Sequence, residues 1–147
     1  NTKVDNAIKS DAQIIIARSA IKTGDEAKAQ IAYAEVAKIA TGKLAAEALY
    51  YSAYFKNKEG SFEGSNAAIQ KLAKDFSGYK YFGAKGLVLM AKNFYQLDDA
   101  YQATYILESV IQNFVDYPDV VEEAKVELAV IKATESKTNS SVETDGN

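Results

Sequence analysis

The sequence predicts an all-α protein, an α-solenoid of three antiparallel helix-turn-helix repeats followed by a C-terminal capping helix. Three observations carry that expectation. Ala17, Ala53, Ala91 and Ala129 recur at spacings of 36, 38 and 38 residues, and small residues repeating at such a period mark a chain that stacks one supersecondary unit. Pro118 is the only proline, and apolar residues elsewhere follow helical spacing. Gly-Asp-type breaks at Gly24-Asp25, Gly60-Ser61 and Asp98-Asp99 fall at matching places within each unit.

Taken in order, residues 1–9 read as a lead-in from a preceding unit or a linker. Ser10-Asp11 is an N-cap signal for a helix that carries Ile14, Ile15, Ala17 and Ile21 and stops at Gly24. A second helix follows Asp25 with Ala29, Ile31, Tyr33, Val36 and Ala37, closing a first repeat over about 10–43. The second repeat, about 44–80, breaks at Glu59-Gly60-Ser61 and resumes through Ile69, Leu72 and Phe76. The third, about 81–118, turns at Leu97-Asp98-Asp99. After Pro118 a last helix over 119–133 has one apolar stripe, Val121, Ala124, Leu128 and Ile131, and one charged face, as the end of a stack requires. Residues 134–147 are mostly Ser, Thr, Asn and Glu and read as a flexible polar tail.

Composition bounds the function. With 48% hydrophobic and 25% charged residues the chain is globular rather than disordered. A net charge of −3 with no Lys/Arg run argues against a nucleic-acid partner, and no apolar run approaches the length of a membrane span, so no direct membrane insertion is expected. With neither His nor Cys, a His general base, a thiol nucleophile and a conventional zinc site are excluded within this chain. No cofactor and no metal are expected, and no residue spacing assembles a catalytic constellation. Asp98-Asp99 reads as a helix cap, with metal binding the weaker alternative.

Aligned on their alanines, the units resemble the tetratricopeptide repeat. The family's first small position corresponds to Ala17, Ala53 and Ala91, its second to Ala29, Ser65 and Ala103, and its bulky core position to Tyr33, Ile69 and Leu107. The stretch Gly60-Ser61-Phe62-Glu63-Gly64-Ser65 is similar to the family's Gly-Asp-Tyr-Glu-Lys-Ala pattern. The chain departs from the pattern in lacking the first-helix Trp and in its longer units, which resemble variants found in bacterial cell-envelope proteins. Physically, Ala, Gly or Ser at a crossing lets two helices approach to about 8 to 9 Å.

The resemblance implies a non-catalytic module that binds a peptide or protein on a concave face lined by the first helix of each pair. The solvating last helix and the polar tail after it add the expectation of the C-terminal repeat segment of a larger bacterial protein. Inner-face positions carried over by the resemblance are Asp11, Ile14, Arg18, Ile21 and Lys22, then Glu47, Tyr50, Tyr54, Asn57 and Lys58, then Lys85, Val88, Lys92, Tyr95 and Gln96. From these the expected partner-binding set is Arg18, Lys22, Tyr50, Tyr54, Asn57, Lys58, Val88, Lys92 and Tyr95. The cations would attract a carboxylate-bearing segment and the tyrosines supply apolar contact with a polar tip. The alternative is that these are ordinary solvated helix residues, the tyrosines partly packed on neighbours. A second functional reading is a structural solenoid segment that serves self-association, through its first repeat, or the assembly of a larger chain. Ile14-Ile15-Ile16 supports it, because three consecutive apolar residues cannot all face one side of a helix.

Overall fold

The computed structural model describes residues 1–145, with side chains through residue 140. It contains seven helices and no strand among the described residues: α1 (Thr2–Thr23), α2 (Glu26–Ile39), α3 (Gly42–Lys58), α4 (Phe62–Asp75), α5 (Lys80–Gln96), α6 (Ala100–Asn113) and α7 (Pro118–Asp145). The chain forms two compact units, Asn1–Gly86 and the stretch from Leu87 onward, with the division inside α5.

Three of the connections are the same motif. Gly24, Gly60 and Asp98 each adopt a left-handed conformation, with φ of 82°, 82° and 63°. In each, the left-handed residue donates its N–H three residues back: Gly24 to the Ile21 carbonyl, Gly60 to Asn57, Asp98 to Tyr95. The next residue donates five back: Asp25 to Ala20, Ser61 to Lys56, Asp99 to Phe94. This is a Schellman termination, which satisfies the last helical carbonyls and reverses the chain. Asp25 and Asp99 then cap the following helix, their carboxylates accepting from the Lys28 and Gln102 N–H groups. Asp98 and Asp99 are thus a helix end and a helix start.

In the first unit α1 packs on α2, α2 on α3 and α3 on α4. Ala17, Ala29, Ala53 and Ser65 are fully buried, and the Ser65 hydroxyl donates to the Ala53 carbonyl at 2.7 Å. Such a contact between helices is open only to small side chains. Further along the second helix of each pair, Tyr33 and Val36, Ile69 and Leu72, and Leu107 and Val110 are buried at equivalent places. In the second unit α6 packs on α7, with Val120, Ala124 and Ile131 of α7 buried. Ala129, the fourth periodic alanine, is exposed.

Two boundaries differ from expectation. α1 begins at Thr2 rather than near Ser10, so residues 2–9 are helix; Asn1 caps it, accepting from the Val4 N–H. Ser10 is buried inside the helix, its hydroxyl donating back to the Asn6 carbonyl, a local bond that imitates a cap in sequence. The final helix runs past 133 through Asp145, so the expected tail is helical over 134–145, while residues 146–147 lie outside the described residues. Thr134 and Thr138 turn their hydroxyls back onto the Val130 and Thr134 carbonyls, which removes the need for water at those groups.

Candidate functional site

Helices α1, α2, α3 and the first turns of α5 meet around a shallow depression of about 210 Å³ in the first unit, lined by Arg18, Tyr33, Glu47, Tyr51, Tyr81 and Lys85 among others. At its floor is an acid. Glu47 sits between Ala46 and Ala48 on the buried face of α3. Its side chain is 6% exposed, against 52% for Arg18.

A buried carboxylate persists only if its lone pairs are satisfied. The Arg18 Nη2 and Nε donate to Glu47 Oε1 and Oε2 at 2.7 and 3.0 Å, a bidentate fork that fixes both planes. The Tyr33 hydroxyl adds a third bond to Oε2 at 2.8 Å. Hydrogen bonds to the Glu47 carboxylate hold the Arg18 pKa above its ordinary value. Burial, reinforced by that carboxylate, pushes the Tyr33 hydroxyl far above the usual tyrosine range. The Tyr51 ring stacks on Tyr33 at 4.2 Å between centroids, and its own hydroxyl is raised by burial.

Lys85 stands at the rim. Its ammonium lies 5.1 Å from the Tyr50 ring centroid and 5.8 Å from that of Tyr81, within cation–π range. Among the described residues it forms no ion pair with a carboxylate. Its charge therefore remains available to an incoming anion.

The expected partner-binding residues divide into three groups. Val88 and Tyr50 are buried. Val88 is removed from the contact surface, because at this helical register it points into the core; the Tyr50 ring packs against Tyr51 and Phe82 and lies under the Lys85 ammonium. Four more residues already have acidic partners within the chain: Arg18 with Glu47, the Tyr54 hydroxyl with Glu26 at 3.1 Å, Lys92 with Glu123 at 3.0 Å, and the Tyr95 hydroxyl with Glu135 at 3.0 Å. Partial burial and the Glu26 bond push the Tyr54 hydroxyl up to about 12. Lys22 and Lys58 are exposed and Asn57 is half-buried; the Lys58 ammonium lies 5.4 Å from the Tyr54 ring centroid. The sites fall in both units: Lys92 and Tyr95 lie beyond Gly86.

Sequence reasoning placed Glu47 and Lys85 at inner-face positions without giving either a role. An acid inside the run Ala46-Glu47-Ala48 was the available sign of a buried carboxylate; its partner, 29 residues away, was not. Tyr101 and Tyr105 were also missed, two strongly exposed rings one turn apart on α6.

Among the described residues, no group of three His, Cys, Asp or Glu side chains could hold a metal ion. No helix there is long and apolar enough to cross a membrane. No protein-family model matches the chain, and no curated protein matches it. What the molecule defines on its own evidence is a class: an all-helical protein in which a Schellman turn joins the helices of each of three pairs.

Proposed function

We propose that this chain is a non-catalytic interaction module, a tetratricopeptide-like solenoid of three helix pairs with a closing helix. It holds a carboxylate-bearing segment of a protein or peptide partner. The observation that carries this reading is the depression to which the first helix of each pair contributes. There Lys85 lies over aromatic rings and, among the described residues, forms no ion pair, next to the exposed half of Arg18. In such a place an acidic side chain meets a cation held by ring faces, and its neighbours lie against Tyr51 and Tyr81. Arg18 acts through its remaining exposed edge, because Glu47 already occupies its fork. Lys92 is neutralised by Glu123 and contributes less than the sequence suggested.

Selection from a random-peptide display library tests this reading. Wild type should enrich sequences that place Asp or Glu beside an apolar residue, and Lys85→Glu should abolish the enrichment with an unchanged melting temperature. Enrichment that survives Lys85→Glu defeats the proposal.

A second reading, a structural segment serving self-association or the assembly of a larger chain, is favoured by a separate observation. Ile14 is buried, but Val4, Ile8, Ile15 and Ile16 are exposed along α1. One helix thereby carries four of the large exposed hydrophobic residues, more than scattered surface apolarity explains.

A further inference from the structure

The exposed residues of α1 occupy a register that the chain uses elsewhere as an interface. Shifting α3 back by 36 residues, the spacing of Ala17 and Ala53, superposes Leu44, Ala48, Tyr51 and Phe55 on Ile8, Ala12, Ile15 and Ser19. The α3 residues share a core cluster with Tyr33, Val36 and Ala40 of the second helix and its cap. Their α1 counterparts are all exposed, Ile8 at 63% and Ile15 at 67%.

The polar contacts across the α2–α3 interface have counterparts too. Tyr33 donates to Glu47 and Glu26 accepts from Tyr54, so α2 runs antiparallel to α3. At the same register α1 offers Asp11 in place of Glu47 and Arg18 in place of Tyr54. Asp11 is exposed.

We infer that α1 is a docking face for one further amphipathic helix, laid antiparallel to it and supplied by a partner polypeptide. That helix carries an acid near its N-terminus opposite Arg18 and a hydrogen-bond donor seven residues later opposite Asp11. Small or β-branched apolar residues three and seven positions further on cover Ala12, Ile8 and Val4. The template is the spacing Glu26, Tyr33, Val36, Ala40. An antiparallel second copy of α1 fits less well, because centring Ile8 on the partner's Ile15 brings two Asp11 carboxylates together near the symmetry axis. The inference rests on the second reading above; it shares Arg18 with the carboxylate site but does not involve Lys85.

The probe is a peptide of residues 25–40, with a hydrocarbon staple on its solvent side because a helix of this length is marginal in isolation. It is titrated against the full chain with Ile methyl groups labelled for NMR. Saturable binding that perturbs Ile8 and Ile15, and that weakens by about tenfold or more in the Ile8→Asp/Ile15→Asp variant, supports the inference. A Tyr33→Phe peptide should bind several-fold more weakly. Absence of saturable binding, or binding indifferent to the double substitution, overturns it. Sedimentation that finds a wild-type dimer made monomeric by the same substitutions also overturns it, with a second copy as occupant, while leaving the second reading intact. If the double variant alters neither binding nor association, both fail.

Discussion

Two ion pairs join the same pair of register positions, one in each unit, and differ in almost everything else. Arg18 and Glu47 in the first unit correspond to Lys92 and Glu123 in the second, through the alanine spacings. The first pair is bidentate at 2.7 and 3.0 Å around a nearly inaccessible acid. The second is a single 3.0 Å contact with both side chains partly exposed. The residue that separates them is on neither partner. Where α2 has Tyr33, whose hydroxyl bonds Glu47, the corresponding position of α6 is Leu107. A carboxylate with two kinds of donor can be drawn below the surface; one with a lone lysine keeps its water. The repeat sets where charges meet, and one side chain on the neighbouring helix sets what that meeting is worth.

The largest test of this contrast is Arg18→Met. It strands Glu47 with Tyr33 as its remaining donor, and urea denaturation should report a loss of about 2 to 3 kcal/mol, below the full cost of an unpaired buried charge because Arg18 is half exposed. Adding Glu47→Gln should recover much of that loss. If Arg18→Met behaves like a surface substitution, the environment of Glu47 is not what decides. Tyr33→Phe is the sharper probe, since it deletes only the hydroxyl while keeping the stack on Tyr51. A loss of about 1 to 2 kcal/mol is expected for one hydrogen bond to a charged acceptor. The smallest effect belongs to Lys92→Met, at about 0.5 kcal/mol or less and shrinking further in high salt. A value equal to that of Arg18→Met would erase the comparison.

The sequence made the punctuation legible and the electrostatics opaque. Gly24, Gly60 and Asp98 announce chain reversals because few residues tolerate a left-handed backbone, and Asp is among those few. The small residues at Ala17, Ala29, Ala53 and Ser65 announced helix crossings for an equally local reason, their size. Ser10-Asp11 misled because a capping serine and a serine bonded back to its own helix have the same letters. The carboxylate site was hidden for a different reason. Whether Arg18 is free or committed depends on an acid one unit away and on whether α2 places a tyrosine beside it. Periodicity gives the positions, and pairing across helices is decided by which side chains happen to fill them. Ala129 shows the limit from the other side: it keeps the period yet lies exposed, because among the described residues no helix crosses α7 there.

The step from 36 to 38 residues has a definite address. α2, α4 and α6 are all 14 residues long, but Ala40-Thr41 links α2 to α3 whereas residues 76–79 and 114–117 link the later helices. In both longer links a Phe N–H closes the helix on the carbonyl four back, and a Tyr N–H three residues on returns to that Phe. Length has therefore varied in these outer links while the Schellman turns have kept their form. For anyone wishing to install a fluorophore, an epitope or a protease site, Ser77-Gly78 and Val115-Asp116 are the places to cut, both exposed and both in links whose length the chain already varies.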